Sequence, residues 1–126
     1  MKVVELIEGL NEKQKKSVEK CIEKCNLLNP EEEISVEIEK NVLDFVKVLS
    51  NPLRFSIIKM LRNRWLCVCL IAKALGQDQT LISHHLRRLK ELGLVEERRE
   101  GKLRFYRTNE DTLRKYFDDL KNELGL

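Results

Sequence analysis

Four cysteines carry the most distinctive chemistry in this 126-residue chain: Cys21, Cys25, Cys67 and Cys69. Only Val68 separates the second pair. Residues i and i+2 of a regular helix diverge by about 200°, so such a pair cannot chelate one ion from a helix interior. At a helix N-terminus it can, and there the dipole also favours thiolate over thiol. Cys21 and Cys25 are four apart, which puts them on one helical face or makes them close neighbours in an extended arm. Soft thiolates select cadmium, lead, zinc or trivalent arsenic over hard cations. Packing is the competing account, because cysteine is a common small buried residue and Cys21 and Cys25 lie on an apolar stripe with Val18 and Ile22. The two histidines, His84 and His85, are adjacent and diverge by about 100° on a helix, so they cannot share an ion.

A second set of residues points to a polyanion. Net charge is only +3, yet the stretch from Lys59 to Arg107 holds Arg62, Arg64, Lys73, Arg87, Arg88, Lys90, Arg98, Arg99, Lys102 and Arg104. Residues 1–44 are acidic on balance, with Glu31, Glu32 and Glu33 in a row. A basic block on a balanced chain suggests nucleic acid, and a solvated charged surface is the plainer alternative.

The elements that must position these groups follow from periodicity and caps. Residues 2–27 are helix-prone, with Val3, Leu6, Ile7 and Leu10 on one stripe and Val18, Cys21, Ile22 and Cys25 on another. Asn29-Pro30 followed by three glutamates predicts a helix start. The expected helix buries Ile34, Ile38, Val42, Phe45, Val46 and Leu49 and stops before Pro52. Pro52 opens a second helix. A third is expected from about Leu66 to Leu75, closed by Gly76. A fourth, capped by Asp78 or Thr80, continues to Leu92 and is closed by Gly93. Leu94 to Arg99 and Leu103 to Thr108 predict two strands joined by Glu100-Gly101-Lys102. A last helix from about Glu110 carries Leu113, Tyr116, Phe117 and Leu120. The fold class is therefore mostly α with a small β-hairpin wing, in the order α-α-α-α-β-β-α after a helical N-terminal extension. The expected division is residues 1–29 and 30–126.

Two short helices around Gly76-Gln77-Asp78-Gln79 and a basic hairpin make a winged helix-turn-helix. In the second helix Ile82, His85, Leu86 and Leu89 share an inner face, while Thr80, Ser83, His84, Arg87 and Glu91 face outward. Gln79, Thr80, Ser83 and His84 are the candidates for base edges, and Arg87 for guanine or phosphate. Arg99, Lys102 and Arg104 of the hairpin are the candidates for phosphate neutralisation. No phosphate-cradling glycine loop and no nucleophile elbow is present, which argues against an enzyme. No run approaches the roughly 18 apolar residues that cross a bilayer, and the N-terminus lacks the pattern of a signal peptide. A cytoplasmic protein is the expectation, with thiols or metal ligands rather than disulfides.

Several motifs resemble the ArsR/SmtB family of metal-responsive repressors. Leu49-Ser50-Asn51-Pro52-Leu53-Arg54-Phe55-Ser56-Ile57-Ile58-Lys59-Met60-Leu61 is similar to the family's opening motif. Thr80-Leu81-Ile82-Ser83-His84-His85-Leu86 with Leu92-Gly93-Leu94-Val95 is similar to its recognition helix and the start of its wing. Leu66-Cys67-Val68-Cys69 resembles a signature of arsenic- and cadmium-responsive members, although Leu70 stands where an acidic residue is usual. The resemblance, over about residues 36–122, implies a homodimer paired through the first and last helices of the domain. It also implies repression at a partly palindromic operator in double-stranded DNA. The upstream Cys21 and Cys25 resemble the arm of cadmium- and lead-responsive members. That implies two equivalent sites per dimer, built from Cys21, Cys25, Cys67 and Cys69 across protomers. The family's second metal site, on the last helix, uses Asp and His. No histidine lies between Asp111 and Leu124, so that site is expected to be absent. Alternatives in play are the same DNA-binding regulator switched by thiol redox chemistry, a winged-helix regulator without sensing, and a protein-interaction module.

Overall fold

The computed structural model describes residues 1–126 and divides into two compact units, Met1–Glu37 and Ile38–Leu126. The first holds α1 (Val3–Glu8) and α2 (Glu12–Cys25). The helix-prone segment 2–27 forms two helices, separated at Gly9-Leu10-Asn11. There Asn11 caps α2, accepting from Gln14 N at 2.8 Å while the Gln14 side chain returns to Asn11 N. Such reciprocal capping satisfies donors that a broken helix otherwise leaves open.

The helix expected from Pro30 begins only at Lys40, and residues 30–39 are not helical. Asn29 Oδ1 accepts from Glu31 N at 3.0 Å, so the capping side chain closes a local turn. The segment then runs back along the N-terminus: Val4 N donates to Pro30 O, Val3 N to Glu32 O and Ile34 N to Met1 O. The terminal amine pairs with Glu33 and Lys2 with Glu31, which offsets repulsion within the acidic run. Ile34 and Ile38 are consequently exposed rather than core, and residues 30–37 belong to the first unit.

The second unit contains α3 (Lys40–Leu49), α4 (Pro52–Met60), β1 (Leu66–Cys67), α5 (Val68–Leu75), α6 (Gln79–Glu91), β2 (Val95–Glu100), β3 (Leu103–Thr108) and α7 (Glu110–Glu123). Of the apolar set expected on α3, Val42 and Phe45 are buried, Val48 joins them, and Val46 faces solvent. Phe45 stacks on Tyr116 at 4.8 Å between ring centres and meets Phe117 edge-on at 5.2 Å, which joins α3 to α7. Asn51 caps α4, with Pro52 in its first turn. The core is continuous through Phe45, Ile57, Leu61, Ile71, Ile82, Leu86, Leu89 and Leu94, none with measurable exposure.

The sheet has three strands rather than the two of a simple hairpin, in the order β1-β3-β2, all antiparallel. β1 takes the first two residues assigned above to a helix. Leu66 pairs with Tyr106 and Cys67 with Phe105, so α5 begins at Val68. The far end of β3 is tied into the helices: Thr108 N donates to Leu61 O at 3.0 Å, and Thr108 Oγ1 to Ile58 O at 2.8 Å. No helix is long and apolar enough to cross a membrane.

Thr108 is the one buried polar residue of the core. Thr108→Val removes its donor and leaves a buried carbonyl short of a partner, which costs about 1 to 3 kcal/mol. Denaturant unfolding measures it, and a loss below about 0.5 kcal/mol means the hydroxyl does not anchor the wing.

Candidate nucleic-acid interface and thiol pair

The turn between α5 and α6 is built by two residues. Gly76 adopts φ +62°, where a side chain is strained, and the next amide, Gln77 N, returns to Ala72 O at 3.0 Å. Asp78 then caps α6 by accepting from Thr80 N at 2.8 Å. Ile82, Leu86 and Leu89 are wholly buried beneath α6. His85 is half-buried on the same side, and desolvation, then the positive charges of Arg54 and His84, depress its pKa. Gln79, Thr80, His84 and Arg87 are exposed on the opposite face, with Ser83 half-buried.

The hairpin separates its side chains by register. Val95 faces Thr108, Glu97 faces Tyr106 and Arg99 faces Arg104, so these six share one face. Glu96, Arg98 and Glu100 lie on the other face with Arg107, Phe105 and Leu103. Gly101 turns at φ +60°, which puts Lys102 at the tip. The ion pairs divide the basic block. Arg62 is held by Glu110, Arg88 by Glu91, Lys90 and Arg104 by Glu97, Arg98 by Glu100, and Arg107 by Glu96. Arg107 also lies 4.6 Å over the Trp65 ring. Arg87, Arg99 and Lys102 hold no carboxylate. Three of the four expected phosphate-seeking cations are therefore free, and the fourth, Arg104, is shared.

One open cavity of about 380 Å³ is lined by Cys67, Val68, Cys69, Gln79, Ser83, Lys102, Leu103 and Arg104. It brings the start of α6, the tip of the hairpin and the cysteine pair to one place. Thr80, His84 and Arg87 share the outer face of α6 but do not line this cavity, and Arg99 is beside Arg104 on the hairpin.

Cys67 is the N-cap of α5 and Cys69 is its second residue. Because the cap has extended rather than helical backbone, φ −81° and ψ 160°, the divergence of a regular helix does not apply, and the two sulfurs are 2.9 Å apart. A hydrogen bond from Cys69 lowers the Cys67 thiol pKa, helped by backbone N–H groups at the helix start and opposed by burial. The same hydrogen bond raises Cys69. Of the pair, the buried Cys67 is thus the more acidic thiol and the exposed Cys69 the less acidic. Within the Ile38–Leu126 unit no His, Asp or Glu joins it. In the N-terminal unit Cys21 and Cys25, four residues apart in α2, share one helix face, and the neighbouring Cys25 thiol raises the Cys21 pKa.

Sequence reasoning missed two features. A two-residue strand is too short to show alternation, so the link from Cys67 to the wing left no signal. Glu97 was one carboxylate in the charged run Glu96-Glu97-Arg98-Arg99-Glu100, and nothing local marked it.

The profile described as "Bacterial regulatory protein, arsR family" matches residues 51–97. The HTH-type transcriptional regulator MJ1325 of Methanocaldococcus jannaschii is 36% identical over 80 residues, covering 63% of this chain and 90% of that protein. The cadmium resistance transcriptional regulatory protein CadC of Listeria innocua is 40% identical over 67 residues, covering 52% of this chain and 56% of CadC. The chain therefore spans little more than half the length of that relative. The homodimeric winged helix-turn-helix DNA-binding domain Mb0332 of Mycobacterium bovis superposes with a TM-score of 0.55 at 33% identity, covering 67% of this chain and 84% of that domain.

If Cys69 donates to a Cys67 thiolate, Cys69→Ala in a Cys21→Ser/Cys25→Ser background raises the pH at which Cys67 ionises. Thiolate absorbance against pH follows it. An unmoved midpoint would mean that the close approach of the sulfurs has no bearing on ionisation.

Proposed function

Since the chain belongs to the ArsR family and is a DNA-binding transcription regulator of winged helix-turn-helix form, we propose that it is a homodimeric repressor released from its operator by a thiophilic metal ion. One observation carries the sensing half of this proposal: Cys67 is at once a member of the thiol pair and a rung of the wing sheet, paired with Phe105. Its cavity is shared with Gln79, Ser83, Lys102 and Arg104, candidates for contact with DNA.

The donor set suits a soft ion. Thiolates at about 2.3 Å from a tetrahedral zinc-like centre are about 3.8 Å apart. The present 2.9 Å separation opens to that by rotation of the exposed Cys69 side chain. Two thiolates leave a four-coordinate site half filled, and Cys21 and Cys25 supply two more donors of the same kind. Cadmium, lead, zinc and trivalent arsenic all match this sulfur set. The ion, when bound, acts as a soft Lewis acid that holds the thiolates in one fixed arrangement. Cys67 carries that constraint into β1, β1 into β3, and β3 into Arg104 across the cavity from α6. A coupling of about 1 to 3 kcal/mol is ordinary for such a link.

Pairing of protomers is supported by apolar side chains left in solvent on the first and last helices of the second unit, Leu43 and Val46 on α3 and Phe117 on α7. A two-fold dimer presents two copies of α6 to half-sites about one helical turn apart. Reduced thiols on a DNA-binding regulator fit the cytoplasm.

Cadmium titration of the reduced protein, followed by thiolate charge-transfer absorption and by affinity for the duplex upstream of its own gene, tests this. Binding of cadmium weakens DNA affinity by about 5- to 150-fold. Cys67→Ser abolishes both signals, while Cys21→Ser leaves a weaker metal site. DNA affinity indifferent to cadmium, lead, zinc and trivalent arsenic sinks the metal mechanism. DNA release by a peroxide, reversed by a dithiol reductant, would then assign the thiols to redox control.

A further inference from the structure

Three side chains from two elements converge on Glu97. The Lys90 ammonium, from the last turn of α6, donates to Glu97 Oε2. The Tyr106 hydroxyl donates to Oε1 at 3.2 Å, and Arg104 Nε is 3.8 Å from the same oxygen. The Glu97 side chain is only 20% exposed, against 54% for Lys90 and 52% for Arg104. Burial alone raises a carboxyl pKa, yet that of Glu97 is lowered, chiefly by the Lys90 hydrogen bond. Register explains the convergence. Arg99 and Arg104 are directly opposed across the hairpin, a like-charge pair that destabilises two strands, and Glu97 is the carboxylate next to them on that face. Glu97, Arg99 and Arg104 line one cavity of about 430 Å³.

We propose that Glu97 is a positioning residue that sets sequence specificity: it ties the wing to the recognition helix and occupies Lys90 and Arg104, so that fewer cations take phosphates. The proposal rests on the DNA-facing assignment of α6 and the hairpin. Phosphate contacts hold any duplex equally, whereas base contacts distinguish one sequence from another. With Glu97 in place, Arg87, Arg99 and Lys102 remain free for the backbone, and the base-reading side chains of α6 supply a larger share of binding. Without it, Lys90 and Arg104 add sequence-blind affinity, and the hairpin loses its bond to the end of α6.

The full-length protein is titrated with the duplex upstream of its own gene and with a scrambled duplex, each across a range of KCl. Glu97→Gln steepens the dependence of log affinity on log salt by about 0.9 to 1.8 for the scrambled duplex, at about 0.9 per added phosphate contact. The ratio of the two affinities narrows. Glu96→Gln, on the opposite hairpin face, moves the slope by less than half as much, which separates the proposed role from a general loss of negative charge. Two surface variants keep the test open should Glu97→Gln misfold. Arg99→Gln lowers the slope by about 0.9, and Arg104→Gln by clearly less because Glu97 already holds that cation. Equal losses from Arg99→Gln and Arg104→Gln, or an unchanged slope in folded Glu97→Gln, overturn the role of Glu97 alone. A wild-type protein without salt-dependent duplex affinity overturns the DNA-facing assignment, and Glu97 with it.

Discussion

The rotation of α6 about its own axis is set by burying Ile82, Leu86 and Leu89, and every outward group on that helix depends on it. All three have no exposed surface, and each is worth about 1.5 to 3 kcal/mol relative to an exposed position. A turn of one residue about the axis, roughly 100°, would put Ser83, Arg87 and Lys90 into the core in place of Ile82, Leu86 and Leu89. That penalty exceeds anything that ion pairs on the outer face contribute. The Asp78 cap and the left-handed Gly76 then fix where the helix begins, so its first turn opens on the cavity shared with the hairpin tip. The α6 underside also continues into Leu94 and Val95, which start the wing from the same core.

Two short-range ties make the wing part of that framework rather than a loose flap. Thr108 bonds to Leu61 and Ile58 at one edge, and the Leu66–Tyr106 and Cys67–Phe105 pairs hold the other. The second tie gives the cysteine pair its leverage, because a thiol at the cap of α5 shares a backbone ladder with Arg104. Charge is arranged with equal economy. About half of the basic block is paired with neighbouring carboxylates, and Arg87 on α6 and Arg99 and Lys102 on the hairpin are among the cations left unpaired.

The N-terminal unit shows where local signals lose to distant ones. Asn29, Pro30 and the glutamates satisfy every local requirement of a helix start, and the same residues also satisfy a turn closed by the Asn29 side chain. Backbone bonds to Met1, Val3 and Val4, together with two ion pairs, select the turn. Local propensity is worth a few tenths of a kcal/mol per residue, and a handful of backbone partners outweighs it.

Sequence alone determined the winged helix-turn-helix order and the inner and outer faces of α6. It also located the glycine turns, the helix start at Pro52, a cap at Asp78 or Thr80, and the helix-start position of Cys67-Val68-Cys69. Each of these is encoded by a period or by a cap within a few residues, so neighbours along the chain suffice to reveal it. Tertiary structure alone decided that Cys67 belongs to the wing sheet, that Glu97 gathers Lys90, Arg104 and Tyr106, and that residues 30–34 return to the N-terminus. These pairings join residues far apart in sequence or across a fold of the chain. They are set by register and by the competition of one carboxylate among several cations, neither of which any local stretch of sequence contains.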